Sequence, residues 1–330
     1  MVTRSLVSFC LHSPPPRALF DLANSKTQTN GRIIMKQQIT LLDGGMGQEL
    51  CRRSGKPASP LFSTQAMIDN PDMVVELHSD YIRAGADVIC LNAYASTPER
   101  LHRDADISLF EPLQKAAAAA ALKARDQTQK SVLIAGCLPP LMASYHAELI
   151  PEEAQAIESY ERIVKQQETA VDLFIAETMS SISEAHYVCR AVAKTSKSIW
   201  VSFTVDDSDG TLLRSGEALK DGIKAAVAAN AECILVNCSS PESIRQAMPI
   251  LSKNETLFGG MANTFVSAAK LKAGETVDTL VTRNDLGPDE YAAHALSWVE
   301  DGATLIGGCC GVGPGHIAEI RRRIDMISSQ

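Results

Sequence analysis

The sequence predicts an α/β fold, a single (β/α)8 TIM barrel. Eight short apolar runs recur along the chain, and a helical stretch follows each of them. Most of the runs lack the alternation of a half-exposed strand, the pattern of parallel strands buried on both faces. The chain has 330 residues, 45% of them hydrophobic, enough for one large core. An open doubly wound sheet is the alternative.

The predicted strands are residues 39–42, 87–91, 132–135, 173–176, 199–203, 233–236, 257–260 and 304–307. The first clear helix covers 71–84, with Asn70 as cap, Pro71 at the first position and Gly85 as stop. An alanine-rich helix follows at 114–125, then helices at 151–169, 183–194, 216–229, 241–251, 288–301 and 316–327. There is no further repeat at solenoid spacing and no dividing linker.

The first 34 residues stand apart. Pro14, Pro15 and Pro16 and the stretch from Asn24 to Arg32 show no sustained period. Leu6 to Leu11 is a short apolar patch that suits a signal peptide, but no convincing cleavage site follows it; a targeting presequence is a second option, and a disordered tail or an upstream start is preferred. The domain reading is therefore a disordered extension or mis-assigned start over 1–34, then one barrel over 35–330.

Net charge is −8 and Lys and Arg form no basic stripe, which argues against nucleic acid as a partner. No apolar run reaches the ~18 residues needed to span a membrane, and a cytoplasmic location is expected. Oligomeric state is left open. Nine cysteines in a long chain, two of them adjacent, do not read as a disulfide framework. Cys90, Cys189 and Cys233 sit in apolar stretches and read as small buried hydrophobes.

In such barrels chemistry gathers where strands end. Strand one leads into Asp43-Gly44-Gly45, strand two into Asn92-Ala93-Tyr94, strand three into Gly136-Cys137 and strand four into Glu177-Thr178. Strand six leads into Asn237-Cys238, and strand eight into Gly308-Cys309-Cys310. Cys238, Cys309 and Cys310 thus meet at two nearby exits. Three thiolates favour Zn²⁺, and three protein ligands leave the open position of a catalytic zinc. The glycines around the pair, Gly307, Gly308, Gly311 and Gly313, would let the backbone turn so that both sulfurs face one point. The rival is a nucleophilic cysteine with His316 as base, although His316 also suits the start of the last helix. A non-catalytic zinc-binding barrel is a third reading. The run 311–315 lacks the spacing of a dinucleotide fingerprint. Residues 206–210 read as a surface turn rather than a calcium loop, since the closing Glu is missing. Asp43 and Glu177 are acidic groups at the mouth, able either to cap a helix or to hold an ammonium group.

These motifs resemble the homocysteine S-methyltransferase family. The resemblance rests on Leu41-Leu42-Asp43-Gly44-Gly45-Met46-Gly47-Gln48-Glu49-Leu50, Ala84-Gly85-Ala86-Asp87-Val88-Ile89, Glu177-Thr178-Met179, Val236-Asn237-Cys238 and Gly307-Gly308-Cys309-Cys310-Gly311. It runs from about Ile39 to Ile320. It implies a (β/α)8 barrel with zinc on Cys238, Cys309 and Cys310. It further implies that Asp43 and Glu177 hold the homocysteine amino group, with Tyr94 near the metal and methyl donor and Asn92 beside it. The chain departs from the family where Gly311-Val312-Gly313 follows the paired cysteines instead of Arg-Thr-Thr. A second departure is Gly136-Cys137-Leu138 after strand three, instead of Gly-Pro-Tyr.

The implied activity is transfer of a methyl group from a small donor to the zinc-bound thiolate of L-homocysteine, giving methionine. A sulfonium donor is expected, S-methylmethionine first and S-adenosylmethionine second, with betaine as an alternative.

Overall fold

The computed structural model describes residues 26–29, 32–35, 38–56, 61, 63–268, 271, 272, 275 and 277–329. The chain divides into two compact units, Met1–Gln38 and Ile39–Gln330. In the first, Lys26–Thr29 and Arg32–Met35 pair antiparallel. The rest of the extension expected over 1–34 lies outside the described residues.

The second unit is a ring of eight parallel strands. They are β1 (Thr40–Leu41), β2 (Val88–Cys90), β3 (Leu133–Leu138), β4 (Leu173–Met179), β5 (Ser198–Phe203), β6 (Cys233–Asn237), β7 (Leu257–Ala262) and β8 (Leu305–Gly308). Each pairs with the next, and β8 returns to β1 with Leu305 opposite Thr40. The seam between β1 and β2 is closed by a bridge from Leu42 to Val88. There the Asp43 N–H donates to the Val88 carbonyl at 3.0 Å and the Asp87 N–H to the Leu41 carbonyl at 2.7 Å.

The helices are α1 (Met46–Ser54), α2 (Ser63–Asp69), α3 (Pro71–Ala84), α4 (Pro98–Asp104), α5 (Phe110–Thr128), α6 (Glu153–Gln167), α7 (Ile182–Val192), α8 (Leu219–Ala228), α9 (Pro241–Leu251), α10 (Pro288–Glu300) and α11 (Pro314–Ser328). α3 is bounded as its caps require: Asn70 accepts the Met73 N–H, and Gly85 takes φ 105°. α1, α2 and α4 were not expected. They are short helices inside the loops that leave β1 and β2, with too few turns for a helical period to show. Among the described residues no helix is long and apolar enough to cross a membrane.

Five strands run further than their apolar stretches, so Gly136, Cys137, Glu177, Asn237, Met261, Ala262 and Gly308 are strand residues rather than loop. The ladder is made of backbone groups and does not stop where side chains turn polar. Two buried tyrosines from the helical layer fasten the strand ends that matter. The Tyr81 hydroxyl lies 3.0 Å from both the Gly45 and Val312 carbonyls. The Tyr291 hydroxyl lies 3.1 Å from the Ala262 carbonyl and 2.8 Å from that of Gly307. Both rings are fully buried, so packing and hydrogen bonding fix the ends of β7 and β8 and the loop after β1 together.

Candidate functional site

The Cys309–Cys310 pair sits on a tight turn. The Val312 N–H donates to the Cys309 carbonyl at 3.1 Å, which closes a four-residue turn. Its third residue, Gly311, has φ 81°, the signature of a type II turn, where only glycine sits without strain. A Cβ there would also collide with the Thr264 side chain. β7 holds the turn from the other side: the Cys309 N–H donates to the Ala262 carbonyl at 2.9 Å, and the Thr264 N–H to the Cys310 carbonyl at 3.0 Å. Of the four glycines expected to bend this segment, Gly311 is the one with positive φ.

Cys238 follows the last residue of β6 and has φ 49°; Thr178, just past Glu177 in β4, has φ 61°. Left-handed backbone costs non-glycine residues of order 1–3 kcal/mol, most for a β-branched one, and persists only where the surroundings enforce it. At Thr178, Asn237 does the enforcing. Its Oδ1 accepts the Thr178 N–H at 2.9 Å and the Ser202 hydroxyl at 2.8 Å, and its Nδ2 donates to the Thr178 hydroxyl at 3.0 Å. Tyr145, also at the pocket wall, has φ 69°. The Arg214 guanidinium lies 5.2 Å from the centre of its ring.

The three sulfurs converge. Those of Cys238, Cys309 and Cys310 lie within 4.8 Å of one another, with Cys238 and Cys310 at 4.0 Å. Cys238 and Cys309 are joined as a disulfide, with their Cα atoms 5.7 Å apart, where three separate thiols were expected. That spacing lies within disulfide reach, and two thiols on facing turns at this distance can also share an ion. A tetrahedral zinc with sulfurs at ~2.3 Å holds them about 3.8 Å apart, so the reduced trio fits such an ion with little movement. Burial, with the charge of Glu177 adding to it, pushes the Cys310 thiol up to about 12.

A pocket of about 160 Å³ opens over this cluster, and Asp43, Asn92, Tyr94, Glu177, Cys238, Cys309 and Cys310 all line it. Neither carboxylate caps a helix. Asp43 Oδ2 accepts the Cys90 N–H across the barrel seam at 2.9 Å, and Glu177 accepts the Cys90 thiol at 2.6 Å. Burial pushes the Asp43 carboxyl well above the usual range; the Cys90 N–H opposes this and the Glu177 charge adds to it. Burial also raises Glu177, against the pull of the Cys90 and Cys137 thiols. The Tyr94 hydroxyl is 2.8 Å from the Ser144 hydroxyl, and the Arg100 guanidinium lies 5.3 Å from its ring centre. Burial raises the Tyr94 phenol, so it stays a neutral hydrogen-bonding group. Asn92 donates to the Ser63 carbonyl at 3.1 Å, a structural bond to α2.

Cys189 and Cys233 are buried hydrophobes as expected, but Cys90 is not. It is half-buried and faces the pocket with Cys137 and Glu177. His316 accepts the Gly313 N–H on Nδ1 at 3.2 Å, which leaves Nε2 to donate to the Leu286 carbonyl at 3.2 Å. Nδ1 serves the start of α11 and Nε2 ties it to the loop before α10, so His316 offers no free nitrogen as a base for a nucleophilic cysteine. Asp206 accepts the Ser208 N–H at 2.8 Å and the Asp209 N–H at 3.1 Å, the turn that was expected there, and Asp207 within it pairs with Arg214 and accepts the Ser267 hydroxyl.

Residues 40–324 match the family model described as homocysteine S-methyltransferase. A homocysteine S-methyltransferase of Escherichia coli (strain K12) is 29% identical over 314 residues, covering 88% of this chain and 97% of that protein. The metallated crystal form of a homocysteine methyltransferase from Escherichia coli superposes with a TM-score of 0.75 at 25% identity, covering 93% of this chain and 99% of the other. An oxidized form of that enzyme superposes with a TM-score of 0.69 at 26% identity, covering 87% and 97%.

Proposed function

The chain belongs to the homocysteine S-methyltransferase family, and from that footing we propose that it methylates the thiol of L-homocysteine at this pocket, giving methionine, with a zinc ion on Cys238, Cys309 and Cys310. The observation that carries the reading is the meeting of three sulfurs, from the exits of β6 and β8, beside the buried Asp43 and half-buried Glu177 carboxylates in one cavity. When bound, zinc would supply a Lewis acid that keeps the acceptor thiol deprotonated at neutral pH, where a free thiol with pKa ~8.5 is mostly protonated.

The chain's own residues place the acceptor. Asp43 and Glu177 present two acidic groups to an ammonium, and the positive charge of the substrate would draw both into their ionised forms. The Cys90 N–H holds the Asp43 carboxylate in place. The neutral Tyr94 phenol and the Asn92 amide would line the donor side of the same cavity. Methyl transfer between two sulfurs needs approach along one line, and the rigid strand ends supply that alignment. S-methylmethionine is the favoured donor, with S-adenosylmethionine and betaine as alternatives.

The test is methionine formation by the reduced, zinc-loaded protein from homocysteine and each donor in turn, with zinc counted per chain. Turnover with S-methylmethionine that vanishes together with the metal supports the reading. Full activity in metal-free protein overturns it.

A further inference from the structure

A second group of ligand-type side chains lies on the floor of the same pocket. Cys90 ends β2, Cys137 lies in β3 and Glu177 in β4, three consecutive strands. The sulfurs of Cys90 and Cys137 and a carboxylate oxygen of Glu177 lie within 4.8 Å of one another. All three residues line the cavity.

We propose that Cys90, Cys137 and Glu177 form a second, weaker site for a thiophilic divalent cation, and that filling it blocks homocysteine. Two sulfurs and one carboxylate oxygen are a donor set for zinc-like ions, at ~2.3 Å and ~2.0–2.2 Å from the metal. Ligands around such an ion stand some 3.5 Å apart, so the Cys90–Glu177 contact at 2.6 Å must open and the pairs lying up to 4.8 Å apart must close, each by only about an ångström. The parallel register keeps their strands fixed relative to one another, with Cys90 opposite Ala135 and Cys137 opposite Ile175. Binding replaces two S–H bonds with two metal–sulfur bonds and releases two protons to water. The site shares Glu177 with the proposed ammonium anchor, so one carboxylate cannot serve both. This inhibitory half rests on the reading of Glu177 given above. The site itself rests only on the three side chains.

The experiment starts from the reduced enzyme holding one zinc per chain, with free Zn²⁺ set by a chelating buffer so that homocysteine does not deplete it. Calorimetry counts further zinc bound, and initial rates give KM and kcat for homocysteine at each free Zn²⁺. A second equivalent is expected, with the KM for homocysteine rising at least tenfold and kcat recovered at saturating homocysteine. Cys137→Ser and Cys90→Ser should each keep the first equivalent and weaken the second at least tenfold. Binding that stops at one equivalent in the wild type overturns the site, as does a second equivalent that survives in both variants. A second equivalent that both variants lose, but that leaves KM unchanged, overturns the competition and the role of Glu177 while the site stands.

Discussion

Asn237 grips Thr178 from two sides, taking its N–H at 2.9 Å and giving a hydrogen bond to its hydroxyl at 3.0 Å. The grip spans β4 and β6, and it ties the backbone beside Glu177 to the backbone beside Cys238. Asn237→Ala would leave a fully buried N–H without a partner at a strained residue, a cost of about 1–3 kcal/mol. The expected result is zinc affinity lower by about 10–100-fold, the usual effect of losing a group that orients metal ligands, together with a lower unfolding temperature. Asn237→Asp keeps the acceptor, loses the donor and should fall between. Chelator competition and thermal unfolding measure both quantities. Unchanged zinc affinity in the alanine variant would detach Asn237 from the metal centre.

The sulfur trio gives a sharper test. Cys238→Ala, Cys309→Ala and Cys310→Ala should each lose the tightly held zinc equivalent and methyl transfer together, because two sulfurs cannot replace three. The Cys238–Cys309 disulfide withholds two of the three sulfurs. Protein with this bond intact is therefore expected to lack the tightly held zinc equivalent and to be inactive, and a dithiol reductant followed by zinc should restore both. Elemental analysis beside the methionine assay reads the result. Full turnover by the oxidised protein would contradict the metal reading.

Asp43 and Glu177 should show in the pH dependence of homocysteine use. Burial raises both carboxyls in the free protein, and an ammonium is held by their ionised forms. As pH falls through the raised range, kcat/KM for homocysteine should fall, at higher pH than an ordinary carboxylate near ~4 would allow. Asp43→Asn should raise KM by about 10–100-fold, the worth of a hydrogen bond to a charged group at ~1.5–3 kcal/mol. It should affect folding in the opposite sense. A carboxyl raised in the folded state favours folding at low pH and loses that contribution as pH rises through the raised value. Asp43→Asn is therefore expected to unfold at a higher temperature than the wild type at neutral pH. A variant with unchanged KM would remove Asp43 from the substrate site.

Much of this architecture was legible before any coordinates. Eight apolar runs marked eight strands because strands buried on both faces cannot carry polar residues along their length. α3 was legible to the residue because Asn70, Pro71 and Gly85 mark its ends chemically. The paired cysteines, Cys238, Asp43 and Glu177 could be placed because they break the apolar pattern where strands end. Cys90 could not. A cysteine in an apolar run looks like packing, and in a parallel strand without alternation nothing in the sequence says which side chains face the lumen. Thr178 was hidden for another reason: its left-handed backbone is imposed by Asn237 from another strand. The Cys238–Cys309 bond joins residues far apart in sequence and follows from the closure of the barrel alone.

Glu184 gives a prediction about stability that is independent of the pocket. It lies in the first turn of α7 and is 4% exposed. Its carboxylate accepts the Ser180 N–H at 2.8 Å, from the residue before the cap, while its own N–H bonds to the hydroxyl of the cap residue Ser181 at 3.1 Å. Burial raises its carboxyl from 4.5 to about 7, with the Ser180 N–H and the Arg100 charge opposing. The folded state thus holds the proton more tightly than the unfolded chain does. The contribution to stability is fully present below about 4.5 and is lost as pH rises through about 7. That rise corresponds to about 3 kcal/mol as an order of magnitude. Glu184→Gln keeps an oxygen for the Ser180 N–H and removes the buried charge. It should raise unfolding stability at pH near ~8, by up to that amount, and flatten the fall between pH 4.5 and about 7. Denaturant unfolding of both proteins across that range decides it. A Gln variant less stable than the wild type at the alkaline end would mean that the ionised carboxylate stabilises the helix start more than its burial costs.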